Sequence, residues 1–291
     1  MIGSNEIPRM SDDTFRLVRD FVRNHCGLYF DDESKYLLEK RLSRRVENYR
    51  LKNFEDYYHL LMYDKRRDEE LSAVIDILTV NETYFFREFS QLRAFAEEIV
   101  PEITERKKSR KKLRIWSAGC STGEEPYTLA ILMLEKGFIP EWEIEILGSD
   151  INQRVLHVAR RGIYKKSAFR NTEEYHIRKY FTDEGSGNYR VKDTVRGLVN
   201  FSLLNLMDPF KVRFVGEMDI IFCRNVIIYF DLDSKKKVIN SFCDRLTEEG
   251  YLLLGHSESL MNISTAFVLR HLKNDLVYQK ATKSVLTGEM R

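Results

Sequence analysis

Cysteine and proline are scarce in this 291-residue sequence, glycine is modest, and neither sign of charge dominates. The four cysteines (Cys26, Cys120, Cys223, Cys243) lie far apart with no C-x-x-C pair. That excludes a disulfide-stapled framework and reads as a reduced, cytosolic chain. Fourteen glycines and five prolines beside 43% hydrophobic residues exclude collagen-like and low-complexity classes. Lys and Arg total 47 against 45 Asp and Glu, a balance of +2, which argues against a protein that coats nucleic acid. No apolar run approaches the ~18 residues needed to span a bilayer. The opening MIGSNEIPRM lacks the apolar core of a signal peptide. The six histidines are scattered without HExxH or a Cys/His cluster, so no metal site is expected.

Length alone suggests two domains, at roughly 150 residues each. Residues 11–95 read as an all-helical domain. An N-cap serine, Ser11, precedes Phe15, Val18 and Val22 at helical spacing over 11–24. Further amphipathic patterns cover 34–52, 53–62 and 69–78. The first of these is strongly basic on its polar face: Lys35, Lys40, Arg41, Arg44, Arg45, Arg50 and Lys52 stand against Glu39 and Glu47. Residues 96–112, ending in ERKKSRKK, read as a charged linker. From 113 to 281 strands and helices alternate, with strands at 113–118, 143–149, 219–223 and 251–255 and helices at 124–136, 152–161 and 234–246. That alternation implies a mostly parallel sheet covered on both faces. Within it, residues 180–201 carry Gly/Ser/Asn turns between short β-rich pieces, a small antiparallel insertion.

The sharpest local feature is IWSAGCSTGEEPYTLA, a strand running through a Gly119-x-x-x-Gly123 turn into a helix. Thr122 and Glu125 fit a capping box, and Pro126 belongs in a first helical turn. Glycine there lets backbone approach a ligand, and free N–H groups at the helix start favour an anion. Asp150, ending the next strand, suits the hydroxyls of a ribose. Together these describe a nucleoside-binding crevice at the carboxyl edge of a parallel sheet. The spacing matches neither G-x-G-x-x-G nor a P-loop. Adjacent Glu124 and Glu125 would repel a pyrophosphate yet tolerate the cationic amino and sulfonium groups of S-adenosylmethionine. An ordinary strand-turn-helix needing glycine for close packing is the competing reading. LTVNETYFFRE clusters Asn81, Thr83 and Arg87 around Tyr84, Phe85 and Phe86, which periodicity alone would assign to core. DIIFCRNVIIYFD sets Arg224, Asn225 and Tyr229 just past a buried strand, where α/β sheets present their sites.

Taken together, NETYFFRE, WSAGCSTGEEPY, GSDIN, ARRGIY, FSLLNL, FCRNVIIYF and GYLLLGHSESL resemble, in order and spacing, the chemotaxis receptor methyltransferases of bacteria, the CheR family. The resemblance covers about residues 12–280. It implies an α/β fold: a helical N-terminal domain plus a Rossmann-like class I S-adenosylmethionine-dependent methyltransferase domain carrying a small antiparallel β-subdomain. It implies methyl transfer from S-adenosylmethionine to the γ-carboxylate of particular glutamates on receptor signalling helices, leaving S-adenosylhomocysteine. Residue by residue, Asn81, Thr83 and Arg87 would contact the cofactor, with Glu124 in the glycine turn that Gly119 opens. Asp150 would hold the ribose, Asn205 and Leu206 would flank the adenine, and Arg224 and Asn225 would line the same crevice. Arg87 and Tyr229 would sit at the transferring methyl as the catalytic pair. The family's partners are methyl-accepting chemotaxis receptors, gripped in some members through a C-terminal tether peptide on the β-subdomain.

Chemistry is consistent with that assignment. A glutamate carboxylate, pKa ~4.3, is already an ionised nucleophile at pH 7, so no general base is needed. Arg87 is then expected to orient the carboxylate rather than activate it. The lack of an N-P-P-[FY] segment argues against methylation of a base's amino group. The basic face of 34–52 is either a dock for glutamate-rich receptor helices or a solvated surface. Two other readings stay open: the same chemistry on a different protein or small carboxylate, and a non-catalytic module that binds the cofactor and signals by docking. Residues 283–291 read as a flexible tail.

Overall fold

The structure, a computed structural model, describes residues 9–137 and 141–282. The tail expected at 283–291 lies outside the described residues. The chain divides into two compact units. One runs as far as Val80 and takes in Tyr229–Ser234; the other holds Asn81–Ile228 and the chain from Lys235 onward.

The first unit is helical. Helix α1 (Asp12–Cys26) starts where the Ser11 hydroxyl accepts the Thr14 N–H and stops at left-handed Gly27, burying Phe15, Val18 and Val22. Helices α2 (Lys35–Asn48), α3 (Phe54–Tyr63) and α4 (Arg67–Leu78) follow, with Asn53 capping α3. Glu70 of α4 is fully buried. Its carboxylate accepts from Arg45 Nε at 2.8 Å, from Arg45 Nη2 and from the Tyr57 hydroxyl, so one acid ties three helices. Burial works against that charge, yet the Arg45 guanidinium and Tyr57 hydroxyl hold the carboxyl below its ordinary range. The returning segment joins the same unit. Phe230 forms an antiparallel bridge with Leu28, and the Tyr29 N–H donates to the Tyr229 carbonyl at 2.9 Å.

The second unit is built on a seven-stranded sheet of order β6-β2-β1-β7-β8-β10-β9. Strands β1 (Lys112–Ala118), β2 (Glu143–Asp150), β6 (Val199–Leu203), β7 (Met218–Cys223) and β8 (Leu246–Leu254) run parallel. β9 (Phe267–His271) and β10 (Leu276–Lys280) add an antiparallel edge. Strand β7, MDIIFC, is buried at every position, as a strand covered on both faces must be, and its one charged residue, Asp219, is paired with Lys107 at 2.8 Å. Covering helices are α5 (Phe89–Ala94), α6 (Val100–Arg106), α7 (Glu124–Glu135), α8 (Gln153–Arg161) and α12 (Leu232–Arg245), with short α9 (Glu174–Tyr180), α10 (Asp193–Arg196) and α11 (Pro209–Val212) between strands. A separate small sheet orders β3 (Ile163–Lys165), β5 (Asn188–Val191) and β4 (Phe181–Gly185), all antiparallel.

Four details differ from the sequence reading. Within 96–112, read as linker, a π-helical turn (Phe95–Ile99) and α6 put Ile99, Val100 and Ile103 into the main core. The small antiparallel sheet is present, but its third strand comes from 163–165, and residues 199–201 belong to β6 at the edge of the large sheet. Thr122 and Glu125 make no capping box. Gly123, left-handed, is the N-cap; the Thr122 hydroxyl donates to Glu124, and the Glu125 carboxylate accepts from Ser117 and Arg224. Strand β8 begins at Leu246 rather than 251, because α12 passes directly into it with left-handed Glu249 absorbing an irregularity in pairing.

Candidate active site

The carboxyl ends of β1, β2, β6 and β7 bring Gly119, Glu124, Asp150, Asn205, Leu206, Arg224 and Asn225 to one edge, and hydrogen bonds tie the backbone of Asn81 and Arg87 to it. The turn after β1 is fixed first. The Gly119 and Cys120 N–H groups donate to the Ser149 carbonyl at 2.8 and 2.9 Å. Gly119 has φ +84°, and a Cβ there would stand 2.4 Å from Val226 Cγ2, so only glycine fits. The next residue, Ser121, spans the site: its N–H donates to Asp150 Oδ2 at 2.8 Å and its hydroxyl to the Asn81 carbonyl at 3.0 Å. Asp150 Oδ1 accepts the Asn152 N–H at 2.9 Å, and the Asp150 carbonyl accepts the Leu204 N–H. One chain of hydrogen bonds therefore links the segment at 81, the glycine turn, Asp150 and the approach to Asn205 and Leu206. Asn205 turns its own loop, its Oδ1 accepting from the Met207 N–H at 2.9 Å, and Leu206 is buried beside it in sequence.

A second chain runs through Arg224, whose side chain is only 3% exposed. Its Nε donates to Glu125 Oε2 at 2.6 Å and its Nη1 to the Arg87 carbonyl at 2.9 Å. Glu125 Oε1 accepts the Ser117 hydroxyl. Arg224 thus holds the backbone of Arg87 against the start of α7. Around it the chain is strained: Phe86 and Glu88 both have positive φ, leaving Arg87 between two left-handed residues. The aromatics of this segment divide. Phe85 and Phe86 are core, Phe85 lying within about 5 Å of Tyr164, Phe169 and Phe181 and so anchoring the segment to the small sheet. Tyr84 is half-buried and carries the Arg170 guanidinium 3.7 Å above its ring, with Arg87 at 5.7 Å. Glu82 ties both arginines, its carboxylate to Arg170 and its carbonyl to Arg87 Nη1. Thr83 is half-buried.

Electrostatics single out Glu124. It is buried, with one oxygen accepting the Thr122 hydroxyl at 2.7 Å, and burial pushes its carboxyl up to about 7. Asn225 adopts φ 59°, and its Oδ1 is buried with no hydrogen-bond partner. Tyr229, the other nominated catalytic residue, belongs to the first unit, where its carbonyl is bonded to Tyr29. Sequence reasoning missed Ser117, Ser121, Arg170 and Glu258. Ser117, Ser121 and Glu258 lay inside segments that had been noticed, but each acts through a bond to a backbone group or side chain that no motif announces, and Arg170 lay outside them all.

A parallel sheet with a glycine turn after its first strand, an acid ending the second and further site groups after the next two defines a Rossmann-like methyltransferase domain. A family model described as "CheR methyltransferase, SAM binding domain" matches residues 81–275, and one described as "CheR methyltransferase, all-alpha domain" matches residues 13–79. "Chemotaxis protein methyltransferase 2" of Vibrio cholerae is 39% identical over 280 residues, 96% of each chain. "Chemotaxis protein methyltransferase" of Vibrio parahaemolyticus is 36% identical over 276 residues, 93% of this chain and 98% of that one. The protein of the same description from Borreliella burgdorferi is 37% identical over 253 residues, 86% of this chain and 88% of its own. The chain belongs to the CheR methyltransferase family. It is an S-adenosylmethionine-dependent methyltransferase.

Proposed function

We propose that this chain methylates the γ-carboxylate of glutamates on methyl-accepting chemotaxis receptors, giving methyl esters and S-adenosylhomocysteine and so setting sensory adaptation. The observation that carries the reading is Arg87. A guanidinium suited to a carboxylate is held by its own backbone to Arg224, at the sheet edge that also presents the glycine turn and Asp150. The residues present fit the cofactor. Asn225 Oδ1 is a buried acceptor that still lacks a donor. Each Asp150 oxygen offers two lone pairs, so its backbone bonds are compatible with ribose hydroxyls. Glu124 suits the cationic methionyl end. On this reading Asn81, Thr83, Arg87, Gly119, Glu124, Asp150, Asn205, Leu206, Arg224 and Asn225 form the cofactor site, with Arg87 at the reacting methyl.

S-adenosylmethionine supplies an electrophilic methyl on a positively charged sulfonium. The chain's own residues bind, orient and exclude water. The acceptor carboxylate is ionised at neutral pH, so alignment carries the rate, and good orientation is worth ~7–11 kcal/mol. Arg87 orients the carboxylate, since a tighter clamp would draw electron density from the attacking oxygen and quench it.

The docking surface for a glutamate-rich receptor helix is narrower than the sequence implied. Lys35 pairs with Asp12 at 2.6 Å, Arg41 donates to the Leu78 carbonyl, and Arg45 is committed to Glu70. Lys40, Arg44, Arg50 and Lys52 remain exposed, and Lys40 and Arg44 are one turn apart on α2. Strand β4, an edge of the small sheet, offers a place where a receptor's tethering peptide adds as a further strand. A cytoplasmic location follows from this role; no helix among the described residues is long and apolar enough to cross a membrane. The test is transfer from labelled S-adenosylmethionine to receptor-bearing membranes, followed by mild alkali. Alkali-labile label on receptor bands is expected. Cofactor binding without receptor label refutes the acceptor assignment.

A further inference from the structure

Among the described residues, Glu258 makes an arrangement that the cofactor site as drawn does not use. Its Oε2 accepts the N–H groups of Asn225 (2.8 Å) and Gly255 (2.7 Å), and its Oε1 those of Val226 (3.0 Å) and Ile228 (3.1 Å). The turn after β7 has left the sheet, so these N–H groups have no ladder partner and must be satisfied otherwise. A single carboxylate, with about four lone-pair sites, can take all of them. The shape it imposes is specific. Asn225 is driven into the left-handed region, and its Oδ1 ends up buried without a donor.

Gly255 supplies a second, independent observation. A Cβ at that position would lie 2.8 Å from Asn225 Nδ2, 3.0 Å from the Asn225 nitrogen and 3.0 Å from Glu258 Oε2. The end of β8 and the turn after β7 are therefore packed backbone to backbone around the carboxylate, with Asn225 wedged between them. No other residue type at 255 permits that approach.

We propose that Glu258 is a positioning residue for the cofactor: it acts through Asn225, fixing the turn after β7 so that the Asn225 amide is presented to S-adenosylmethionine. The proposal rests on the reading of Asn225 as a cofactor contact. Glu258 itself touches neither cofactor nor acceptor. Its effect falls on cofactor affinity and leaves the affinity for receptor unchanged. Glutamine at 258 keeps the shape but turns an NH2 group toward two backbone donors, so the turn must rearrange.

The test is a calorimetric cycle for S-adenosylmethionine binding on the full chain, with wild type, Asn225→Ala, Glu258→Gln and the double variant. Each is first checked by near-ultraviolet circular dichroism to be folded at the assay temperature. Asn225→Ala and Glu258→Gln are each expected to weaken binding by about 10-fold or more. The double variant is expected to be no weaker than Asn225→Ala alone, and KM for receptor to stay at its wild-type value in Glu258→Gln. Wild-type affinity in Glu258→Gln beside weakened binding in Asn225→Ala overturns the role of Glu258 while leaving the site intact. Wild-type affinity in Asn225→Ala overturns the reading of Asn225 and the proposal with it. Fully additive losses in the double variant mean that Glu258 acts elsewhere, which also overturns it. Should Glu258→Gln fail to fold, Gly255→Ala presses on Asn225 without altering the carboxylate. It is expected to weaken cofactor binding only while Asn225 is present, and unchanged affinity in that variant refutes the proposal.

Discussion

With Glu124 at the cationic end of the cofactor, as proposed, cofactor binding is expected to be coupled to loss of a proton. Buried against the start of α7, its carboxyl is pushed up from an ordinary value of 4.5 to about 7 by loss of water. At 1.36 kcal/mol per unit, that shift is about 3 kcal/mol of disfavoured charge. A raised folded-state value stabilises the fold fully below pH 4.5, and the contribution is lost as pH rises to about 7. The ligand-free protein should therefore lose about 3 kcal/mol from this group across that window and then level off. A cation beside the carboxylate reverses the balance by favouring ionisation, so binding expels the proton. Near pH 7 about half of the ligand-free molecules hold that proton, and binding of S-adenosylmethionine should release about half a proton per site from Glu124. Affinity should rise with pH up to that point. The assay is titration calorimetry at three pH values in buffers of different ionisation enthalpy. Glu124→Gln serves as the reference that subtracts the cofactor's own protons. Equal proton release in wild type and Glu124→Gln, or affinity falling from pH 6 to pH 8, refutes the reasoning.

The Arg224 network predicts strong coupling. Arg224→Met leaves Glu125 largely buried with only the Ser117 hydroxyl, and should lower stability by about 3 kcal/mol. Adding Glu125→Gln should restore much of it, a cycle readable by urea denaturation. Arg45→Met strands the fully buried Glu70 and should cost a similar ~3 kcal/mol, seen as early melting of helical signal on heating. Reversing charge at Lys40 and Arg44 together should raise KM for receptor several-fold, through lost charge complementarity, while calorimetric affinity for S-adenosylmethionine stays put.

Much of this was legible in the chain itself, for identifiable reasons. Ser11 and the spacing of Phe15, Val18 and Val22 act locally, so α1 could be read from neighbours in sequence. Asp150 and the turn after β1 were readable because a parallel sheet always offers its strand ends to a ligand. What escaped depends on partners far away. Arg45 looked like one more cation on a basic face until Glu70, 25 residues on, claimed it. Glu125 looked like a cap until Arg224, 99 residues on, took its oxygen. The buried helical run through Ile99 and Ile103 sat next to ERKKSRKK, whose charge masked its apolar stripe. Side chains that bond backbone, such as Glu258, leave no period, and the GHSESL segment marked its position without showing its role.

The six residues Tyr229–Ser234 bear on how this protein can be taken apart. Leu28 and Tyr29 find their backbone partners there, in chain synthesised some 200 residues later. A fragment ending at Val80 would carry the four described helices and lack the segment that bridges Leu28 and Tyr29. The helical unit is not a cassette: it cannot be moved onto another scaffold, or retained alone, by a single cut. An intact graft would have to bring the later segment with it, with the whole methyltransferase sheet between the two cuts.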